Sequence, residues 1–249
     1  MIGFRVPSEM ISQSFLHEYF KLFDFIEIKV KNKYEFLPLQ KNLNSECLGK
    51  YSIHLPKRML YNEEELGEAK MILKLISNCE VFPVNLVTHF CGYDEEAISI
   101  LKKLRKALPE EVSICIENIQ TYNMQYIDEL EFAIKSLEKK NISICFDLGH
   151  FMYGGEKLGF SQREMLEILK SKQAICHSIK EIHIHDFNCE TDHISLSRGQ
   201  LDQKLLGEIL QFLPTVPIII ETNVKDAEED GIIQVNWLKE IVNYGNMSN

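Results

Sequence analysis

Histidines, aspartates and glutamates recur where short apolar segments of this sequence end. In ICFDLGH, Asp147 and His150 follow an apolar stretch, and in SICIEN the apolar stretch leads to Glu117. The full set of such groups is His54, His89, Glu117, Asp147, His150, His183, His185, Asp186 and Glu221, and the polar segment after Asp186 adds Asp192 and His193. Buried acids and imidazoles cost free energy unless they are paired or coordinated.

Convergence of these groups would place many carboxylates and imidazoles close together. Without a cation they would repel one another or stay poorly solvated, and coordination of a metal removes that cost. Mixed nitrogen and oxygen ligands suit Zn²⁺, Mn²⁺ or a similar divalent ion. The residue types therefore predict a metal site, provided that the fold brings these segment ends together.

The apolar segments that carry the groups have the length and composition of strands. The predicted strands are 2–6, 25–30, 51–56, 84–90, 112–119, 142–150, 181–187 and 217–223. They begin at intervals close to the roughly 30 residues of one βαβ unit. Amphipathic segments lie between them. Their predicted starts include a cap at Ser8, a capping box formed by Ser161 and Glu164, and caps at Asp202 and Asn236.

Alternating strands and helices over residues 1–249 predict one domain with a (β/α)₈ TIM barrel fold. A doubly wound sheet is the alternative, but no glycine-rich turn follows IGFRV, so no nucleotide cofactor is expected. In a barrel the active site lies at the C-terminal ends of the strands, where the polar groups are. Residues two apart share a face of a strand, so Cys115 and Cys145 are expected beneath Glu117 and Asp147. Glu27 is expected to form a structural pair or to line the rim.

Composition and charge limit the classes of protein to which this chain can belong. The chain has 249 residues, 45% of them hydrophobic, seven scattered cysteines without a CxxC pair, and a formal net charge of −10. The charge disfavours nonspecific binding of nucleic acid. The absence of a long apolar run or a signal-peptide pattern predicts a cytoplasmic protein without a membrane span. No pattern predicts the oligomeric state.

The ordered series FIEIK, YSIHLP, VTHFCG, ICIEN, FDLGH, IHIHD, DHISLSRG and IIIETN resembles the xylose isomerase-like barrels, also called AP endonuclease family 2. That family includes endonuclease IV, ketose 3-epimerases, hydroxypyruvate isomerases and inosose dehydratases. The resemblance runs through nearly the whole chain. It implies that Glu117, Asp147, His183 and Glu221 are the four metal ligands shared across the family, and that in epimerase-like members the two glutamates exchange a proton with a substrate carbon.

The resemblance to endonuclease IV implies further ligands. There the positions of His54, His89 and Glu117 hold one zinc ion, and the four shared ligands hold a second. His150 and His193 match two of the three protein ligands of a third zinc ion. The third ligand of that ion is an aspartate in the family, and Thr191 occupies its position here, with Asp192 next to it.

Two functional hypotheses follow from the resemblance. The first is a divalent-metal-dependent (Zn, Mn, Mg or Co) isomerase or epimerase of a sugar or sugar phosphate, with Glu117 and Glu221 as the acid–base pair. His150 and His193 would then bind hydroxyl groups, and Lys57 or Arg58 a phosphate. The alternative is a zinc-dependent, endonuclease IV-like phosphodiesterase acting on abasic DNA, although LPKRMLY lacks the aromatic DNA-penetrating pattern. A barrel that binds metal without catalysis stays a third interpretation.

Overall fold

Eight parallel strands close into one barrel, in which each strand pairs with its neighbours in the sequence and the eighth strand pairs with the first. The computed structural model describes residues 1–56, 63–90, 95–119, 123–137, 141–222 and 229–246. Helices lie between the strands along the chain, so the predicted (β/α)₈ TIM barrel is confirmed. Lys57 and Arg58, the predicted phosphate-binding residues, lie outside the described residues.

The strands are short and begin and end close to the predicted positions. They are β1 (Ile2–Pro7), β2 (Phe25–Lys29), β3 (Tyr51–His54), β4 (Asn85–Phe90), β5 (Ser113–Asn118), β6 (Ile142–Asp147), β7 (Ile179–Ile184) and β8 (Ile218–Ile220). Because all strands run parallel, their C-terminal ends meet at one rim of the barrel, and the polar groups named above lie at or just after that rim.

Helices connect the strands in the described part of the chain. They are α1 (Gln13–Leu22), α2 (Lys33–Asn42), α3 (Glu63–Ile76), α4 (Glu95–Ala107), α5 (Gln125–Leu137), α6 (Leu148–Lys157), α7 (Gln162–Ser171), α8 (Gln173–Ser178), α9 (Gln203–Phe212) and α10 (Glu229–Asn246). Short 3₁₀ turns occupy Ser8–Met10 and Ser45–Cys47. No helix in this part of the chain is long and apolar enough to cross a bilayer.

Helix capping confirms some of the predicted starts and corrects others. Ser161 and Glu164 form the expected capping box, and the Asp202 carboxylate accepts a hydrogen bond from Leu205 N. The cap of α1 is Ser12, not Ser8, because the chain first makes a 3₁₀ turn. Asn236 lies inside α10, which begins a further seven positions towards the N-terminus, at Glu229.

The sixth strand ends earlier than predicted. It was expected to run over 142–150, but it ends at Asp147, and α6 begins at Leu148. The Asp147 carboxylate accepts a hydrogen bond from His150 N at 2.7 Å, which satisfies a free donor of the first helical turn. Asp147 therefore ends a strand and caps a helix at the same point of the rim.

The barrel encloses its own small interior, separate from the large apolar core that surrounds it. Val87, Cys115 and Cys145 form a buried cluster inside the barrel, which places the two cysteines beneath the rim acids as expected. A polar layer accompanies them, formed by the fully or almost fully buried side chains of Glu27, Ser52, Asn85 and Glu181. We call these four residues the polar floor. Glu27 thus lies inside the barrel and not at an exposed rim.

Candidate metal centre

Glu117, at the end of β5, contacts imidazoles through both of its carboxylate oxygens. Oε2 lies 2.9 Å from His54 Nε2 and 3.2 Å from His89 Nε2, while Oε1 lies 2.7 Å from His183 Nδ1. His54 Nδ1 donates to the Leu55 carbonyl oxygen at 2.9 Å, so Nε2 is the nitrogen that faces Glu117 and that could bind a metal ion. His54, His89 and Glu117 together form one group with the spacing that a metal ion requires.

A second group shares Glu117 with the first. Glu117, Asp147, His183 and Glu221 each offer a ligand atom within 4.8 Å of the others. His183 Nδ1 lies 3.3 Å from Glu221 Oε2 in addition to its contact with Glu117. The four positions that the resemblance assigned as shared ligands therefore come together at one point. Glu117 lies between the two groups and could bridge two cations.

A third group consists of imidazoles. His150, His185 and His193 offer ligand atoms within 4.8 Å of one another, and the Nε2 atoms of His150 and His193 are 3.3 Å apart. Asp192 Oδ2 is 3.6 Å from His150 Nε2. The structure therefore brings His150, His193 and Asp192 together, and it adds His185, which is not in the ligand set implied by the resemblance.

Gly149 makes room for the added imidazole. A Cβ atom at position 149 would lie 2.5 Å from the Nε2 and Cε1 atoms of His185, which is closer than real side chains approach. The ring of His185 is fully buried, and its Nε2 lies 3.3 Å from Asp147 Oδ1. The glycine in FDLGH is thus matched to the second histidine of IHIHD.

The loop after β7 holds His193 in place. Asp186 Oδ1 accepts hydrogen bonds from Phe187 N and Leu201 N, and its Oδ2 accepts one from Gly199 N, all at 2.8 to 2.9 Å. The backbone of His193 adopts φ 54°, a left-handed conformation that is uncommon outside glycine. The Asp186 carboxylate therefore closes the loop and does not face the metal groups.

The electrostatics of the centre reflect buried charges in contact. Burial opposes ionisation of Glu117, but the adjacent imidazoles of His183 and His54 lower its pKa well below the usual value. Burial likewise opposes a charge on His183, yet the neighbouring Cys145 thiol and the bonded carboxylates raise its pKa well above the usual value. Burial and the nearby imidazoles lower the pKa of His193 to about 3.

Several buried atoms of the centre have no hydrogen-bond partner among the described residues. They are Asp147 Oδ2, His150 Nδ1, His185 Nε2 and Glu221 Oε2. Buried polar atoms are normally satisfied, so each of these requires an explanation. Divalent cations at the three groups would supply it, because carboxylate oxygens and imidazole nitrogens are their preferred ligands. The residues present therefore fit a metal centre.

A cavity of about 710 Å³ opens over the centre. Its polar lining includes His54, His89, Glu117, His150, His193 and Glu221, and it also includes Arg5 of β1. Arg5 is almost fully buried, contacts Glu221 through its guanidinium group, and places Nε 3.5 Å from Glu27 Oε1. A small molecule in this cavity would contact the metal groups and a buried cation at once.

Comparison with known proteins identifies the family. The model of the family described as xylose isomerase-like TIM barrel matches residues 42–241. The chain belongs to this family. No curated protein matches the chain. The family match covers six of the eight strands, β3 to β8, and every metal group described above, so it agrees with the resemblance seen in the motifs.

Solved structures of this xylose isomerase-like fold resemble the chain over nearly its full length. A xylose isomerase domain protein from Planctomyces limnophilus is 14% identical with a TM-score of 0.66, covering 97% of this chain and 98% of that chain. Endonuclease IV from Thermus thermophilus is 17% identical with a TM-score of 0.66, covering 96% and 99%. A putative sugar phosphate isomerase/epimerase from Anabaena variabilis is 13% identical with a TM-score of 0.58, covering 97% and 99%. At these identities the likeness concerns the fold.

The centre contains residues that the motifs did not single out as site residues. Arg5, Glu27 and Glu181 lie within or directly below the metal groups. Arg5 and Glu181 were not predicted there, and Glu27 was expected only as a structural pair or a rim residue. A signal existed for Glu181, because Glu181, His183 and His185 alternate along β7 and therefore share a face. No comparable signal marked Arg5, which reads as one charged residue in an otherwise apolar strand.

Proposed function

We propose that this xylose isomerase-like barrel is a metal-dependent hydrolase of phosphodiesters that uses a cluster of divalent ions. The observation that carries the proposal is the position of Glu117, whose two oxygens contact different imidazoles. A carboxylate placed in this way is suited to bridge two cations, as in two-metal hydrolytic sites. This reverses the order of the two hypotheses from the sequence, because the resemblance gives epimerase-like members one divalent ion, whereas two ligand groups share Glu117 here.

The residues of the centre have separate tasks in this proposal. Glu117 joins the group of His54 and His89 to the group of Asp147, His183 and Glu221. The bond from His54 Nδ1 to the Leu55 carbonyl keeps Nε2 directed at Glu117. Divalent ions held by these residues would supply Lewis acidity towards a phosphoryl oxygen and would lower the pKa of bound water.

The imidazole group of His150, His185 and His193 adds a third place for a cation beside the other two. Thr191, at the position of the family aspartate, is exposed and offers no carboxylate, and its hydroxyl donates to the Asp192 carbonyl oxygen. The buried imidazole of His185 supplies a donor atom instead. The fold-level similarity to endonuclease IV supports abasic DNA as the first substrate to test. The net charge of −10 disfavours long duplexes, so a short phosphodiester with few neighbouring phosphates is the better substrate.

The test is hydrolysis of two substrates by protein loaded with Zn²⁺, Mn²⁺ or Co²⁺. Bis(4-nitrophenyl) phosphate reports phosphodiester cleavage without any requirement for DNA binding, and an abasic-site duplex reports the endonuclease reaction. We expect turnover of at least one substrate. In Glu117→Gln we expect the rate of hydrolysis to fall at least about 100-fold, the upper end of the loss in activity that changes around a metal site cause. Cleavage that persists in Glu117→Gln would contradict the assigned role.

The second candidate is a sugar isomerase or epimerase, and one observation favours it. Glu117 and Glu221 both line the 710 Å³ cavity and both contact His183, so the two carboxylates can flank one small substrate. Such an enzyme exchanges a substrate carbon-bound proton with solvent. Deuterium uptake by ketohexoses or their phosphates in D₂O, catalysed by the metal-loaded protein and absent in Glu221→Gln, would establish this activity in place of hydrolysis. Metal uptake with neither activity would assign a binding role.

A further inference from the structure

His183 is held from two sides by carboxylates. Its Nδ1 atom faces the metal groups, at 2.7 Å from Glu117 Oε1 and 3.3 Å from Glu221 Oε2. Its Nε2 atom faces the opposite way, into the polar floor, where Glu27 Oε2 lies at 2.9 Å. When a histidine binds a metal through one ring nitrogen, the other nitrogen carries the proton. The hydrogen-bond acceptor of that proton determines which nitrogen is protonated and which binds the metal.

Two carboxylates of the polar floor are near His183 Nε2, and they differ in their other partners. Glu181 Oε1 is 3.4 Å away, but it already accepts a hydrogen bond from Ser52 Oγ at 2.9 Å, and Glu181 Oε2 accepts one from Asn85 Nδ2 at 2.7 Å. Neutral donors therefore satisfy Glu181 without His183.

Glu27 has a different environment. Its side chain is fully buried on β2, close to His54 and His183. Oε2 lies 2.9 Å from His183 Nε2, and Oε1 forms an ion pair with Arg5 Nε at 3.5 Å. Arg5 and Glu27 are register partners on β1 and β2, so the sheet itself fixes this contact. The nearby guanidinium group favours the ionised form of Glu27, and an ionised carboxylate at 2.9 Å is a strong acceptor for the Nε2 proton of His183.

We propose that Glu27 is a positioning residue of the metal centre, which accepts the Nε2 proton of His183 and thereby presents Nδ1 as the metal ligand. The inference rests on the proposed function in one respect, namely that the centre binds a divalent ion. Carboxylates that bond the outer nitrogen of a ligating histidine orient the ring and raise its basicity, and their loss costs about 10- to 100-fold in metal affinity.

The first experiment is a double-mutant cycle. The dissociation constant for Co²⁺ is measured by competition with a chromophoric chelator for wild type, Glu27→Gln, His183→Ala and the double variant. We expect Glu27→Gln to weaken binding about 10- to 100-fold in the wild-type background and by less than about threefold when His183 is absent. An equal loss in both backgrounds, or no loss in either, would overturn the inference.

Glu181→Gln is the matched control, because Glu181 is equally buried and also approaches His183 Nε2. We expect Glu181→Gln to retain Co²⁺ affinity within about threefold, since Ser52 and Asn85 and not His183 satisfy its oxygens. The visible spectrum of bound Co²⁺ separates positioning from ligation. A spectrum of unchanged shape in Glu27→Gln supports positioning, while a change of coordination geometry would make Glu27 a ligand and overturn the proposal.

A measurement on the wild-type protein covers the case in which Glu27→Gln fails to fold. In protein labelled with ¹⁵N-histidine and loaded with Zn²⁺, we expect His183 to bind the ion through Nδ1 and to carry a slowly exchanging proton on Nε2. Coordination through Nε2 would overturn the proposal for Glu27 while leaving the metal centre intact. A wild-type chain that binds no divalent ion at all would overturn the proposed function and this inference together, so the two failures are distinguishable.

Discussion

His89 and Glu117 are register partners on the neighbouring strands β4 and β5, and their Nε2 and Oε2 atoms lie 3.2 Å apart. The pairing of the two strands thus sets the contact between the two side chains. The same carboxylate reaches His183 with its other oxygen. Two metal groups therefore share the carboxylate of Glu117, and their occupancies are expected to respond differently to single substitutions.

Substitutions at Glu117 and His89 separate a shared ligand from a ligand of one group. We expect His89→Ala to lower the metal content by one ion per chain, because only one group contains His89. Glu117→Gln is expected to lower it by two, because both groups lose a ligand. Elemental analysis of protein purified without chelators measures the content. Equal losses in both variants would contradict a bridging role for Glu117.

Removal of metal is expected to destabilise the fold. An ion at about 1,000 times its dissociation constant contributes about 4.1 kcal/mol to the free energy of unfolding. A chain of this size gains about 2–4 °C in Tm per kcal/mol, so EDTA treatment is expected to lower Tm by about 8–16 °C. Calorimetry with and without EDTA, followed by readdition of Zn²⁺, measures the effect. A Tm that does not respond would argue against a buried metal centre.

Gly149→Ala tests the match between Gly149 and His185. The added methyl group would lie 2.5 Å from the imidazole, so the ring must shift, and we expect a loss of about 1–3 kcal/mol in the free energy of unfolding. The variant is also expected to lose metal from the group of His150, His185 and His193.

Gly67→Ala in α3 is the control for this substitution. A Cβ atom there meets nothing within 4 Å, and alanine favours a helix interior, so unchanged or slightly raised stability is expected. Urea unfolding of the metal-free proteins compares the two variants. A Gly149→Ala chain as stable as Gly67→Ala would show that the ring of His185 adjusts freely.

The pH dependence of metal-free stability tests the charge on Glu27. Burial opposes that charge, but His183, His54 and Arg5 lower the pKa of Glu27 to about 2, below its ordinary value of 4.5. A lowered pKa means that ionised Glu27 stabilises the fold fully above about pH 4.5 and loses this effect as the pH falls towards 2. We therefore expect the stability difference between wild type and Glu27→Gln to be constant from about pH 6 to 4.5 and to shrink below. A difference that grows on acidification would have the wrong sign.

The sequence was sufficient to predict the barrel because its apolar segments are short, evenly spaced and separated by amphipathic ones. It also indicated the rim acids and histidines, since the C-terminal ends of parallel strands meet at one place. The end of β6 was predicted three residues too late. Leu148 and Gly149 continue the apolar pattern past Asp147, and the hydrogen bond from His150 N to the Asp147 carboxylate shows that a helix has begun.

The residues below the rim were harder to predict. In FIEIK, Glu27 alternates with Ile26 and Ile28, the pattern of a strand with one solvated face. Both faces of a barrel strand are buried, and Glu27 accordingly faces the barrel interior. The role of Glu27 depends on Arg5 and His183, which come from strands distant in sequence, and local pattern carries no information on such contacts.

The closure of the loop after β7 by Asp186 has a consequence for how this protein can change over evolution. The Asp186 carboxylate fastens both ends of the segment that carries Thr191, Asp192 and His193, through bonds to Phe187, Gly199 and Leu201. Thr191 is exposed and its hydrogen bonds stay within this loop, so its side chain can be replaced without disturbing the strands. Substitution at this position could therefore change substrate preference while the barrel stays unaltered.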